Sequence, residues 1–483
     1  MNQFLSCAAL ALCALLAACG GGGGGGGGGS GDSGGAASGV APGVSTPPAP
    51  LNSAGYPGEP LSCSIADQRS WLNAYMSDQY FWNANLAAPN TSATTLDAYF
   101  NSVLFLPTDR YSFTQDSAQF TQFFAEGTRT GFGYSLAFTD ATQATLQVRS
   151  VEPAGPAAEA GLKRGDTVLS IDGLSPDRIA KGELRSVSTS GITRTFTLAD
   201  PSGTPRPMAM VSRNFALASV ASDKIFTSAT GAKVGYLAYQ EFAPSSIAAL
   251  GAAFKRFSDG GITELIVDLR YNGGGSVLVA RTLASLIGGA GLDGQIFAKV
   301  RFNSLNTGSN FDYRFTSRPT ALPAAPLEGL TQVFFITSPN TASASELVIN
   351  ALAPFKKVIN IGATTFGKPY GFQPRSACST VYNAVNFETF NAADVGRYTS
   401  GLPATCNVSD DLSKALGDPT ERRTAAALGF IQTKACPVAA ASLQSNLPLD
   451  QSIRAQKASN SIAERRWLEP GFGELAVPAM VMD

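Results

Sequence analysis

Two residues, Ser343 and Lys368, have the types and the sequence settings to do chemistry together. The chain has 483 residues and no histidine. Ser-His-Asp and Cys-His catalysis, His-ligated metal centres and imidazole pH switches are therefore excluded. A general base has to come from Lys, Asp, Glu or a less usual group. A lysine serves only as the free amine, and bringing its pKa from about 10.4 towards 7 corresponds to some 4–5 kcal/mol, which burial can supply by penalising the charged form. Phe366, Tyr370 and Phe372 flank Lys368 and offer the apolar wall. Ser343 stands just ahead of Leu347, Val348, Ala351, Leu352 and Phe355, apolar residues at helical spacing. There the positive end of a helix dipole would favour an alkoxide or a developing oxyanion. The chemistry expected of such a pair is acyl transfer through the serine.

The elements that must position this pair are those of an α/β core whose strand-then-helix pattern begins after residue 230. Leu265-Ile266-Val267-Asp268-Leu269 reads as a buried strand, Asn272-Gly273-Gly274-Gly275 as a sharp turn, and Val277 through Ile287 as a helix. Val333-Phe334-Phe335-Ile336 is a second strand leading to Ser343, and Lys357-Val358-Ile359-Asn360-Ile361 a third leading to Lys368. A competing serine in Gly31-Asp32-Ser33-Gly34-Gly35 matches a nucleophile-elbow pattern. It has no strand before it, no helix after it and no histidine to activate it, so it is dismissed.

Asp268-Leu269-Arg270-Tyr271-Asn272-Gly273-Gly274-Gly275, Thr341-Ala342-Ser343-Ala344-Ser345-Glu346 and Phe366-Gly367-Lys368 together resemble the C-terminal processing (tail-specific) peptidases. The resemblance runs from the helical segment near residue 60 to about residue 436. It implies Ser343 as nucleophile and Lys368, 25 positions later, as base. It also implies an oxyanion hole from the amides of Ala344 and a glycine near Gly274, without choosing among the three glycines, and a crotonase-like α/β peptidase core. Some members carry an aspartate eleven residues after the nucleophile, where this chain has Pro354; others orient the lysine with a glutamine four residues on, where this chain has Gln373 one position late. No cofactor and no metal are implied. The partner expected is a peptide or protein substrate of exported origin, cut near an unstructured C-terminus. An inactive, lipid-anchored peptide-binding protein of the same fold is the alternative, and a small-molecule esterase a third reading.

The remaining chain divides around that core. Residues 127–212 alternate like short strands, and Pro156-Ala157-Ala158-Glu159-Ala160-Gly161-Leu162 followed by Lys163-Arg164-Gly165-Asp166 resembles a PDZ domain. Gly131, Phe132, Gly133 and Tyr134 fit the loop that would hold a peptide carboxylate while the next strand pairs with the peptide. Residues 60–126 read as a small N-terminal helical domain packing its own aromatics, residues 213–440 as the peptidase domain and 441–483 as a C-terminal extension. The whole is a multidomain α/β chain with an inserted β-rich PDZ-like domain.

Residues 1–19 read as a lipoprotein signal: an apolar run from Phe4 to Ala18 ends in Leu16-Ala17-Ala18-Cys19, and Cys19 is the expected lipidation site. Gly20 after it points to sorting to the bacterial outer membrane, facing the periplasm or the cell surface. Residues 20–59, Gly, Ser, Ala and Pro, form a tether with a reach of roughly 35 Å. Thirty-five Lys and Arg against 36 Asp and Glu leave no basic excess for nucleic acid. Cys63, Cys378, Cys406 and Cys436 remain after the signal is gone, and two disulfides are expected, Cys378 with Cys406 and Cys63 with Cys436.

Overall fold

The computed structural model describes residues 58–437 and 479–482, apart from residues 141, 201, 229 and 318–325. The signal, Cys19, nearly all of the tether, the serine at 33 and residues 441–478 lie outside the described residues. Among the described residues, no helix is long and apolar enough to cross a membrane.

The core sheet runs, from one edge to the other, Cys406–Asn407, Lys357–Gly362, Gln332–Thr337, Glu264–Asp268, Lys233–Tyr239 and Val220–Thr227. The first five are parallel and the last is antiparallel. The central strands are buried on both faces, which is why they read as unbroken Val, Ile, Leu and Phe. Helices Ile247–Gly260, Val277–Gly288 and Ala344–Leu352 contribute to the apolar cluster on one face, and helix Arg422–Thr433 to that on the other. Chemistry gathers where parallel strands end and helices begin, because the helix amides there face outward.

A second sheet runs Gly274–Ser276, Ala479–Val481, Tyr370–Phe372, Val385–Phe390, Ile296–Phe302, Phe311–Arg314. Residues 479–482, counted in the sequence as part of an extension, are thus the inserted neighbour of the glycine turn and of the strand after Lys368.

The N-terminal helices start where their caps sit: Ser64 accepts from the Asp67 N–H before Ile65–Gln79, and Thr95 from the Ala98 N–H before Leu96–Val103. Their aromatics do not pack only among themselves. Trp71, Tyr75 and Phe100 share a cluster with Ala377, Tyr382 and Ala384 of the core's late hairpin, and strand Phe113–Asp116 pairs antiparallel with Thr380–Asn383. This layer is therefore built jointly from residues 64–116 and the hairpin at residues 375–384.

The same hairpin corrects the cysteine pairing. Cys63 bonds to Cys378 and Cys406 to Cys436. Cys378 sits at the hairpin tip over the N-terminal helices, whereas Cys406 begins the edge strand against which helix Arg422–Thr433 delivers Cys436. Bracketing one insertion in sequence did not make Cys378 and Cys406 neighbours, because the insertion runs from one layer to another.

The PDZ-like unit is a five-stranded antiparallel sheet in the order Tyr134–Phe138, Leu146–Val151, Thr167–Ile171, Thr193–Ala199, Pro205–Val211. Its two chain connections zip together as a ribbon, Thr128–Gly131 against Arg213–Ala216. The excursion thus closes at residue 216, four residues beyond the expected boundary.

Candidate active site

Strand Gln332–Thr337 delivers the chain to a turn ending at Ser343, the N-cap of helix Ala344–Leu352. Ser343 has φ +62° and ψ −114°, a conformation costly for a side chain with a Cβ, of order 1–3 kcal/mol. That strain aims a buried hydroxyl whose Oγ has no hydrogen-bond partner among the described residues. An unsatisfied buried hydroxyl is itself unfavourable. Two such costs thus coincide at one buried residue, a strained backbone and an unsatisfied hydroxyl.

Lys368 follows Gly367, whose φ of +89° and close approach to the Thr399 carbonyl leave no room for a Cβ. The lysine is 1% exposed, and its Nζ lies 3.7 Å from the centre of the Phe372 ring. Burial drives its pKa well below the usual lysine value, while the carboxylates of Asp109 and Glu346 oppose that shift. The amine is thus held towards its neutral, basic form.

Glu346 joins the two. A single carboxylate oxygen, Oε2, accepts the Ser343 N–H at 2.9 Å and the Lys368 N–H at 2.8 Å. The other oxygen accepts the Gly367 N–H at 2.7 Å and the Thr365 hydroxyl. Glu346 is fully buried, and burial raises its pKa. In the sequence this glutamate stands out only as a letter of a motif; a Glu three residues into a helix, the capping-box position, was the available signal.

Strand Glu264–Asp268 positions the third element, the glycine turn. Arg270, 1% exposed, donates to Asp268, to Asp410 at 2.8 Å and through both Nη atoms to Glu421 at 2.8 Å. Leu269 O accepts from the Thr341 hydroxyl at 2.8 Å, so the turn is pinned to the nucleophile loop. Arg270→Met is expected to cost about 3–5 kcal/mol, because it strands buried carboxylates; urea denaturation measures it.

The glycine amides divide. Gly274 N–H donates to Asn272 Oδ1 at 2.9 Å, so it is already engaged. Gly273 N–H and Ala344 N–H have no hydrogen-bond partner among the described residues. Of the three glycines the sequence left open, Gly274 is thus engaged through its N–H, and Gly273 keeps an N–H with no such partner. Gly275 has a packing reason: with φ +139°, an added Cβ would lie 2.4 Å from the Phe242 carbonyl oxygen.

Gln373 falls just past strand Tyr370–Phe372. Its described hydrogen bonds run to Asn386, through the backbone N–H at 2.7 Å, and to Met482 Sδ, from the side chain at 3.5 Å. Alternation along that strand groups positions 368, 370 and 372, and 373 falls out of phase with them. Pro354 lies in the turn after the nucleophile's helix.

Three residues in succession from the N-terminal layer reach this site and were not singled out from sequence. Asp109 is fully buried and accepts from Tyr80 Oη at 2.7 Å and from the N–H groups of Tyr111 and Ser112 at 2.9 Å. Arg110 Nη2 donates to the carbonyls of Thr399 at 2.8 Å and of Phe366 and Gly367 at 3.3 Å. Tyr111 Oη donates to the Gly367 carbonyl at 2.8 Å. A cavity of about 350 Å³ opens beside them, lined by Arg110, Tyr111, Phe366 and Tyr370 among others.

From the PDZ-like unit, Arg164 reaches the other end of the site and donates to Tyr271 Oη at 2.7 Å, next to the glycine turn. In that unit Phe132 and Tyr134 are buried, and the carbonyls of Phe132 and Gly133 accept from Ala157 and Glu152. The strand that follows, Tyr134–Phe138, is an edge of its sheet.

Residues 233–390 match the family model of peptidase family S41, residues 67–113 that of the S41 N-terminal domain and residues 147–182 a PDZ domain. Residues 233–390 belong to peptidase family S41. The matched residues include the glycine turn, Ser343 and Lys368. A chloroplastic C-terminal processing peptidase from Tetradesmus obliquus is 25% identical over 263 residues, 50% of this chain and 52% of that protein. A carboxyl-terminal-processing protease from Picosynechococcus is 27% identical over 225 residues, 46% and 50% respectively. The chain thus spans about half the length of the curated relatives it matches. The structure of an S41 protease from Bacteroides fragilis aligns with a TM-score of 0.64 at 25% identity, covering 76% of this chain and 97% of that one.

Proposed function

We propose that this chain is a serine endopeptidase in which neutral Lys368 activates Ser343, acting on exported proteins near unstructured C-termini. The observation that carries the reading is the buried Glu346 oxygen that receives the backbone N–H of both residues. Lys368 Nζ takes the Ser343 proton as Oγ attacks the scissile carbonyl carbon. The oxyanion is received by the N–H groups of Ala344 and Gly273. The protonated lysine then returns its proton to the leaving amine, and the C–N bond breaks. Water hydrolyses the acyl ester by the same route in reverse, with Lys368 again as base. The edge strand Tyr134–Phe138 and the loop at residues 131–134 supply a second, non-catalytic place for a peptide end. In the cell the chain is lipid-anchored through Cys19 to the outer membrane, facing the periplasm.

The test is labelling with a fluorophosphonate followed by mass mapping. Modification of Ser343, together with cleavage of an unstructured apolar-tailed peptide, is expected. An unlabelled protein would return the reading to a binding protein, and label without proteolysis to a small-molecule esterase.

A pH experiment separates the electrostatics. Lys368 is influenced by Glu346 from the nucleophile's helix and Asp109 from the N-terminal layer, its Nζ lies over the Phe372 ring, and Arg110 and Tyr111 donate to the carbonyl of the preceding Gly367. Asp109→Asn keeps an acceptor for the two N–H groups but removes a negative charge that favours the protonated amine. The acid limb of kcat/KM is therefore expected to move to lower pH, the direction opposite to simple damage. Tyr80→Phe, which removes only the hydroxyl bonded to Asp109, serves as a packing control.

A further inference from the structure

Glycine turn and base each stand at the head of a short strand, and those strands do not touch. Gly274–Ser276 and Tyr370–Phe372 are separated by one strand's place, occupied by Ala479–Val481. The inserted strand is parallel to both: Ala479 opposes Gly274, Met480 opposes Gly275, and Val481 opposes Ser276 on one side and Phe372 on the other. Met482 N–H continues the pairing, donating to the Phe372 carbonyl at 3.0 Å. Val481 is 3% exposed.

Without that strand, two edges would face each other about 10 Å apart, two inter-strand spacings, with unpaired N–H and C=O groups on both. Such a slot takes one extended peptide by strand addition. Its position is informative, because Gly273 and Lys368 lie just ahead of the two walls. A peptide running parallel to both would pass the reacting groups first and the slot second. The slot therefore holds residues that follow the scissile bond.

We propose that segment 479–482 of this chain occupies, in cis, the channel for the C-terminal side of the substrate, and so competes with substrate for it. This rests on the Ser343/Lys368 reading for the meaning of the channel. The class of chain the slot accepts follows from its occupant: a short, extended segment that pairs through its backbone and buries an apolar side chain at the position of Val481. A tethered competitor acts at a high effective concentration, commonly in the millimolar range, and so raises the apparent KM without touching the chemical step.

The test compares the full chain with one stopped after residue 478, and with Met482→Pro, which removes the N–H that donates to Phe372. For an unstructured fluorogenic peptide, KM is expected to fall about tenfold or more in both variants with kcat unchanged. A synthetic peptide of residues 474–483 should inhibit the shortened chain competitively and the full chain more weakly. Fluorescent-peptide binding to the Ser343→Ala forms of the full and shortened chains gives a readout independent of turnover. Unchanged KM and unchanged binding would overturn the proposal. So would a large fall in Tm on shortening with no gain in affinity from Met482→Pro, since the strand would then be structural. Absence of label and cleavage in every form, with binding still improved by shortening, would instead overturn the Ser343/Lys368 reading and leave the occupied channel standing.

Discussion

Ser343→Ala is expected to lower peptide cleavage by about 10⁴-fold or more, with peptide binding intact. On the proposed mechanism the size follows from the covalent step: without Oγ no acyl-enzyme forms, and only the amides proposed to receive the oxyanion, at Ala344 and Gly273, would remain. The substitution also removes a buried hydroxyl with no described partner. Alanine at the same strained backbone should therefore leave thermal stability unchanged or slightly raised, in contrast to most substitutions of fully buried residues. Initial rates on an unstructured apolar-tailed peptide, read beside a melting curve, check both halves. Retained cleavage would remove Ser343 from the chemistry altogether.

Lys368→Met is expected to match that loss of activity while stabilising the fold. Methionine roughly conserves the volume against Phe372 and carries no proton. Burial lowers the folded-state pKa of Lys368 below the ordinary lysine value. Across the interval between the two, the unfolded chain binds one more proton than the folded one, so stability rises with pH there. Below that interval the full cost of the buried amine is present; above the ordinary lysine pKa it vanishes. The melting temperature of Lys368→Met should therefore exceed that of the parent most at acidic and neutral pH, with the difference closing as the solution becomes strongly alkaline. A variant less stable than the parent at every pH would show that the lysine is not held as a neutral base. In the parent, cleavage should rise with pH through the depressed pKa, because only the neutral amine accepts the Ser343 proton.

Both predictions express one arrangement. Ser343 pays in backbone strain and Lys368 in desolvation, and Glu346 keeps the two costs adjacent by holding the N–H of each. Asp109 limits how far the lysine is driven, which makes the N-terminal layer a part of the site although it contributes no reacting atom.

How much of this was legible in the chain depends on the range of the signal. Strands and helices of the core were readable because burial on both faces produces runs such as residues 333–336, and apolar spacing produces the helix after Ser343. The absence of histidine removed whole classes of catalysis through composition alone. The motifs around the glycine turn, Ser343 and Lys368 are contiguous in sequence, so they could be read as letters.

What could not be read is what depends on contact between distant segments. Asp109 lies 259 residues from Lys368, and no local pattern says that one carboxylate will face one amine. The disulfides were mispaired for the same reason: sequence proximity of Cys378 to Cys406 carried no information about which layer each would join. Gly274 and Gly273 are indistinguishable as letters, and only the side chain of Asn272, folded back onto one amide, separates them. Segment 479–482 has no sequence mark of a partner, since backbone pairing is blind to side-chain identity and is decided by which edges the fold leaves open. Sequence by itself thus determined which residues could react and the elements that carry them, because those are local matters of composition and period. Tertiary structure alone decided which amides are free, which charges meet Lys368 and what lies between the strands that follow Gly273 and Lys368, because each is a property of chain segments brought together only by folding.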